Sequence, residues 1–416
     1  MSSIEIEGGH CLHGEVRVQG SKNATLPIMA AALLNSGISV LRNYPDIEDV
    51  RQMKLLLESL GCRILLEKDK MIIDSQPAKE TTLNGAVTGK IRASSVLLGP
   101  MLARFHHVKM AQPGGCRIGK RPLDIHMNVF KAFGASWSMS DEFIEVECVR
   151  LHPAQIRMNK RSVGATQNAI MVAAFIKGKS KIFNGAVEPE VLTLCDYLKA
   201  TGTFIQIDDD NTITIEGRGC SHASIDIPGD RIVAGTYMGA VTACGGEIKL
   251  SGFQLSDCRG FLNVFTGMGM KLKTHGDEAV TVAMTGKPLA INSIKTEPYP
   301  GFPTDMQSIV MTCAAQAEGV TTISENIFDN RMGAAKELNR MNARIKVLGN
   351  TAVINGVEGL EGAAITAQDL RGAAALVIAG MSAKGVTFIN HTEYIDRGYV
   401  DLCGTFNRLG ARIHGK

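Results

Sequence analysis

Six copies of one pattern run through the sequence, and this repeat constrains the fold more than any other feature. Each copy reads as a helix of small residues, a short β-branched strand, an amphipathic helix and a second strand. The small-residue helices cover 23–34, 93–102, 165–174, 232–241, 305–315 and 370–380. They end near Gly37, His106, Gly178, Gly246, Gly319 and Gly385, at intervals of 69, 72, 68, 73 and 66 residues. A near-constant period means one supersecondary unit used repeatedly, each burying its apolar face against its neighbours. A site in such a chain is then expected between units rather than inside one.

The small-residue helices are apolar almost all round, which marks them as central. Their glycines and alanines predict close approach of neighbouring backbones. The second helices differ. The run from Asp49 to Leu60 places apolar and charged residues at helical spacing and stops at Gly61. The equivalent stops are Gly134, Gly202, Gly269, Asn342 and Gly410. Gly and Asn best tolerate the left-handed backbone that closes a helix. Strands are predicted after these stops, as at 62–66, 270–274 and 344–348.

At 416 residues the chain is long enough for two or three domains, and 45% hydrophobic residues allow a large core. A net charge of +3 argues against nucleic acid or an anionic membrane as partner. The single tryptophan, Trp137, speaks against base-stacking platforms. The N-terminal residues lack the basic and apolar regions of a signal peptide. No apolar run approaches the roughly 20 residues that span a bilayer. The ten cysteines are dispersed without a Cys-x-x-Cys pair, which argues against a zinc site and fits a reducing cytoplasm. Most read as small core hydrophobes.

Charge is placed unusually. Lys22, Arg92, Arg231 and Arg371 stand at or beside the starts of small-residue helices. A cation there opposes the helix dipole by a few tenths of a kcal/mol up to about 1. Two readings are open: each cation points into water, or the helix starts face a cleft for an anionic ligand. Recurrence at equivalent positions favours the cleft. Asp305 similarly reads either as a helix cap after Pro303 or as a carboxylate able to take a proton from a hydroxyl.

The loop Gly114-Gly-Cys-Arg-Ile-Gly-Lys-Arg-Pro122 is the sharpest local signal. Arg117, Lys120 and Arg121 flank Cys116 and should favour its thiolate. His126, close by, reads as a binding residue or as an ordinary helix residue. His106 and His107 read as a surface turn.

Ser21-Lys-Asn-Ala, the Cys116 loop, Ser162-Val-Gly-Ala-Thr, Glu188-Pro-Glu, Phe302-Pro-Thr-Asp-Met-Gln, Asp329-Asn-Arg, Asp369-Leu-Arg and Ile395-Asp-Arg-Gly-Tyr together resemble the UDP-N-acetylglucosamine enolpyruvyl transferases. The resemblance runs in order along essentially the whole chain. It implies an inside-out α/β barrel: two globular domains, each of three βαβαββ repeats, with the site between them. One domain would span 22–229 and carry the Cys116 loop. The other would combine 1–21 with 230–416.

The implied reaction adds the 3′-hydroxyl of UDP-N-acetylglucosamine to C2 of phosphoenolpyruvate and then eliminates phosphate. It is the first committed step of peptidoglycan synthesis. By resemblance, Cys116 protonates C3 of phosphoenolpyruvate, Asp305 is the candidate base, and Lys22, Arg121 and Arg397 hold phosphoenolpyruvate, with Arg92, Arg331 and Arg371 as further arginines of the cleft. Asn23 and Asp305 match sugar contacts. The uridine diphosphate part falls to Arg121, Pro122, Leu123, Asp124, Ile125 and His126, with Ser162, Val163 and Gly164, and Ile327 belongs to the same UDP-sugar set. Fosfomycin should alkylate Cys116. Phosphate and carboxylate on one substrate call for several cations, and arginine offers bidentate geometry to both. Neither a cofactor nor a metal is implied; the sequence does not give the oligomeric state, and a monomer is plausible. The alternative is a paralogue acting on another nucleotide or on shikimate 3-phosphate, although the Cys-bearing loop argues against shikimate 3-phosphate. A binding-only protein on this scaffold has no need of both Cys116 and Asp305.

Overall fold

The computed structural model describes residues 2–35, 37–89, 91–114 and 123–415. The described residues form two compact units, one from 2–19 and 229–415, the other from those between 20 and 228. Each is built from three copies of one βαβαββ repeat, and the described strands form six four-stranded sheets.

The third repeat shows the plan. A short strand, Gln155–Arg157, leads into the central helix Val163–Phe175, which returns as the strand Gly178–Phe183. The outer helix Pro189–Ala200 follows, and then the strands Phe204–Ile207 and Ile213–Gly217. The first two strands pair in parallel, with Ile156 opposite Ile182. The last strand inserts antiparallel between its two neighbours. Repeats 1, 4 and 6 borrow strands distant in sequence. Ala223–Asp226 supplies the first strand of repeat 1, Leu12–Arg17 that of repeat 4, and Ser3–Glu7 the inserted strand of repeat 6.

The pattern read from the sequence therefore lacked two strands per repeat. Some opening strands are only two or three residues long, such as Thr82–Leu83 and Ser293–Lys295, too short for alternation to show. The closing strand follows the one before it after only a tight turn, as Lys70–Asp74 follows Arg63–Glu67 across Lys68-Asp69, so no loop signal separates the two.

Within each unit the central helices form the core and the sheets lie outside. Arg231–Cys244 is buried from Arg231 to Thr242, and Leu370–Ser382 from Leu370 to Met381. Each fully buried Leu, Ile, Val or Met side chain contributes roughly 1.5–3 kcal/mol, so these helices dominate stability. Close helix approach follows from the glycines. A Cβ on Gly239 would meet Ile309 Cγ2 at 2.3 Å, and one on Gly99 would meet the Asn168 carbonyl oxygen at 2.9 Å. The outer helices end as the sequence predicts, with left-handed φ at Gly61 (101°), Gly134 (96°), Gly202 (104°), Gly269 (101°), Asn342 (67°) and Gly410 (103°). His106 also adopts left-handed φ (60°), but His107 is no turn residue. It opens the strand His107–Ala111 and hydrogen-bonds Thr81 and Glu145.

Candidate active site

In the unit containing residues 229–415, all three repeats contribute side chains to a single buried polar chain. Repeat 5 supplies Asp305, in the 3-10 turn Thr304–Met306 that leads into the helix Gln307–Ala314. The Asp305 side chain caps no helix N–H, so the capping reading fails. Its two oxygens are taken by two arginines instead. Arg331 Nη2 lies 2.7 Å from Oδ1, and Arg371 Nη2 lies 3.1 Å from Oδ2. Repeat 6 supplies Arg371, at the second position of its central helix, where Asp369 caps the N–H groups of Arg371 and Gly372. Arg371 Nη1 also donates to Tyr399 Oη at 3.3 Å. Tyr399 Oη in turn lies 2.8 Å from Thr236 Oγ1, on the central helix of repeat 4. Because Thr236 donates its own proton to the Ile232 carbonyl, the tyrosine is the donor in that pair.

The other end of the chain is anchored as firmly. Arg331 Nη1 donates to Thr304 Oγ1 at 3.1 Å, and Thr304 donates to the buried carboxylate of Glu325 at 2.8 Å. Glu325 also accepts the backbone N–H groups of Ile327 and Phe328, which fixes the position of Ile327. The Asp305 side chain keeps about a quarter of its surface exposed (25%), while those of Arg331 and Arg371 are nearly closed off (4%). Burial alone would raise the Asp305 pKa. The two guanidiniums outweigh burial and hold the carboxyl well below the usual carboxylate range. Burial would favour a neutral Arg371, but Asp305 and Tyr399 hold it above its ordinary value, so it stays charged. Arg397 is half-buried at the end of the 3-10 turn Thr392–Arg397.

The unit containing residues 20–228 carries a second set. Ser21 caps the helix Lys22–Ala31. Lys22 Nζ lies 2.7 Å from Asp49 Oδ2, in the first turn of the helix Glu48–Ser59, with both side chains largely buried. Asn23 follows it, partly buried. Arg92 opens the 3-10 turn Arg92–Leu97 of repeat 2 and is partly buried. Leu123 precedes the helix Asp124–Ala132, whose first turn holds Asp124, Ile125 and His126. Ser162 caps the helix that begins Val163-Gly164. His126 and Gly164 meet: a Cβ on Gly164 would lie 3.1 Å from the imidazole Cε1 and 3.2 Å from Nε2. Burial first, then the charge of Arg92, pushes the His126 pKa down to about 4, so the ring is neutral at neutral pH.

Cys116, Arg117, Lys120, Arg121 and Pro122 lie outside the described residues. Of the four cations singled out at helix starts, Lys22 and Arg371 do not point freely into water but pair with carboxylates. The Arg231 guanidinium lies over the Tyr299 ring at 5.6 Å. Residues the sequence did not single out are Asp49, Asn168 and Glu325; Tyr399 appeared only as the last residue of the Ile395-Asp-Arg-Gly-Tyr motif, with no role of its own. Asn168 and Asp49 could have been flagged as polar residues inside apolar helix faces. Nothing local distinguishes Glu325 before the repeats are assembled. Among the described residues, no group of three His, Cys, Asp or Glu side chains is placed to hold a metal ion. No described helix is long and apolar enough to cross a membrane.

Comparison with known proteins fits this architecture. The family model described as EPSP synthase (3-phosphoshikimate 1-carboxyvinyltransferase) matches residues 6–406. UDP-N-acetylglucosamine 1-carboxyvinyltransferase 2 of Caldanaerobacter subterraneus subsp. tengcongensis is 39% identical over 414 residues, covering 99% of each chain. UDP-N-acetylglucosamine 1-carboxyvinyltransferase of Desulforapulum autotrophicum is 40% identical over 417 residues, again covering 99% of each. Among solved structures, the enolpyruvyl transferase NikO from Streptomyces tendae superposes with a TM-score of 0.91 at 24% identity, over 100% of this chain and 99% of that one. EPSP synthase from Acinetobacter baumannii gives 0.75 at 18% identity over 100% of both chains. These two structures bear on the fold alone. The chain belongs to the EPSP synthase family of carboxyvinyltransferases, and its similar relatives include UDP-N-acetylglucosamine 1-carboxyvinyltransferases.

Proposed function

We propose that this protein transfers the enolpyruvyl group of phosphoenolpyruvate to the 3′-hydroxyl of UDP-N-acetylglucosamine and releases phosphate. One observation carries the reading: relatives with that name match at 39–40% identity over 99% of both chains. The arrangement around Asp305 suits the chemistry. The hydroxyl oxygen attacks C2 while its proton passes to Asp305, and a proton from Cys116 adds to C3. In the second step C3 returns a proton to the Cys116 thiolate, the C2–O bond to phosphate breaks with its electron pair leaving on phosphate, which takes up the proton held by Asp305, and the C2–C3 double bond re-forms.

Asp305 clamped by Arg331 and Arg371 is a weak base. Its basicity rises when those guanidiniums are shared with the anionic groups of phosphoenolpyruvate, so substrate arrival readies the base. Lys22, Arg121 and Arg397 hold phosphoenolpyruvate, with Arg92, Arg331 and Arg371 supporting. Such preorganised cations stabilise charge that moves during addition. Asn23 and Asp305 take the sugar, and Ile327 belongs with them. Arg121 to His126 and Ser162 to Gly164 take the uridine diphosphate part. None of the nine described cysteines is in a disulfide, which supports a reducing, cytoplasmic setting; the proposed reaction places the protein in peptidoglycan precursor synthesis.

The test is an acceptor comparison. Purified protein is incubated with phosphoenolpyruvate and, separately, UDP-N-acetylglucosamine, another UDP-sugar and shikimate 3-phosphate, and each product is identified by mass. The reading predicts an enolpyruvyl adduct with UDP-N-acetylglucosamine at the highest rate. Preference for another acceptor would overturn the substrate assignment.

A further inference from the structure

We infer that Asn168 is a positioning residue that locks His126 in the neutral tautomer carrying its proton on Nε2, so that this N–H is presented to an acceptor oxygen of the nucleotide. The inference rests on the nucleotide-binding reading proposed above, and it concerns residues of one unit only.

Asn168 is fully buried (0% exposed) in a central helix that carries no charged residue. A buried amide is tolerated only when its polar atoms are satisfied. The orientation of this one follows from its backbone partners. The Gly99 N–H can only donate, and it meets Oδ1 at 2.7 Å. The Ser95 carbonyl can only accept, and it meets Nδ2 at 3.0 Å. Nδ2 has a second hydrogen, and His126 Nδ1 lies 2.9 Å away. That ring nitrogen must therefore offer a lone pair, and the proton of the neutral ring is on Nε2. Glycine at 99 is what admits this geometry, since a Cβ there would come within 2.5 Å of Oδ1.

The Nε2 edge abuts Gly164, one residue inside the capped N-terminus of the helix Val163–Phe175. His126 is itself only 6% exposed. Nε2 has no hydrogen-bond partner among the described residues. A nearly buried N–H donor beside helix N–H groups suits an anionic or carbonyl oxygen. Of the charged groups on the packed elements, Arg92 acts on the ring and disfavours its protonation, the helix bearing Asn168 contributes none, and Asp124 lies on His126's own helix. Presenting a neutral donor keeps nucleotide affinity independent of pH across the physiological range.

The first experiment reads the ligand-free wild-type protein. Long-range 1H–15N correlation spectra of its histidines, with His126 assigned through His126→Gln, should show a neutral Nε2–H ring that does not titrate between about pH 5.5 and 8. An Nδ1–H ring, or a titration in that window, overturns the inference without any change at Asn168. The second compares wild type with Asn168→Asp, each checked for an unchanged fold by circular dichroism, in calorimetric binding of UDP-N-acetylglucosamine. A carboxylate at 168 accepts from Nδ1–H, raises the ring pKa and leaves Nε2 unprotonated in the neutral form. Binding by the variant should therefore weaken about three- to tenfold as pH rises through that new pKa, while wild type stays flat. Variant binding as tight and as flat as wild type overturns this inference alone. Failure of the wild type to bind the nucleotide overturns the reading beneath it, and this inference with it.

Discussion

Asp305 and Arg371 are joined across two repeats by two hydrogen bonds, with Nη2 3.1 Å and Nε 3.3 Å from the same carboxylate oxygen. Arg331 takes the other oxygen. Deleting the carboxylate leaves two buried cations facing each other, which costs roughly 3–5 kcal/mol when nothing compensates. Asp305→Ala should therefore melt lower than wild type, and added inorganic phosphate should restore more stability to the variant than to the wild type. Equal phosphate-induced shifts in thermal unfolding would show that the two arginines are not an anion site. The same variant should bind substrates but not turn over.

Tyr399 bridges Arg371 to Thr236. Tyr399→Phe removes one hydroxyl and leaves the ring, so it should cost about 1 kcal/mol of stability, with kcat reduced less than tenfold. Chemical denaturation and steady-state rates check both. A variant as stable as wild type would mean that Arg371 is held adequately without the tyrosine.

Lys22 and Asp49 form a nearly buried ion pair at 2.7 Å. Asp49→Asn keeps the shape and loses the charge that positions the ammonium. The expected result is a rise of about tenfold in KM for phosphoenolpyruvate, with KM for the nucleotide unchanged. Initial rates with each substrate varied in turn separate the two. A selective rise in the nucleotide KM would move Lys22 to the other substrate.

Acid sensitivity has a definite sign. The folded pKa of His126 is depressed from 6.5 to about 4, so the unfolded chain takes up its proton first. The stability linked to this ring is complete above about pH 6.5 and is lost as pH falls through about 4, by at most ~3 kcal/mol. Asp305, also depressed, contributes fully above the usual carboxylate range, and its contribution begins to fall as pH enters that range and continues to fall below it. His126→Gln should therefore flatten the decline of stability between about pH 6.5 and 4 seen by urea denaturation. An unchanged decline would assign it to other groups.

Much of the fold could be read in the residues, because period, small-residue helices and glycine stops are local properties. Asn342 shows how far that goes: in place of glycine it still adopts left-handed φ, at 67°. The missing strands were hidden because their pairing is remote, as for Ser3–Glu7 with Val386–Asn390. Asp305 and the arginines stood out by residue type, whereas their mutual clamp depends on how repeats 5 and 6 pack. Asn168 was hidden for the opposite reason. It stands in the buried middle of its helix beside small and apolar residues, and its role appears once Gly99, Ser95 and His126 surround it.

In the sequence Cys116 is flanked by Arg117, Lys120 and Arg121, a pattern from which a favoured thiolate is expected. Fosfomycin, an epoxide, should add one equivalent to this residue when UDP-N-acetylglucosamine is present, and Cys116→Ser should abolish the adduct. Intact-mass measurement of both proteins decides it. Modification that persists in the variant would place the reactive thiol elsewhere.

The central claim is tested most directly by phosphate release from phosphoenolpyruvate, measured with and without UDP-N-acetylglucosamine, in wild type and Asp305→Ala. The account predicts release by the wild type only when the nucleotide is present, and none above background from the variant. Release that ignores the nucleotide, or that survives loss of Asp305 undiminished, would contradict it.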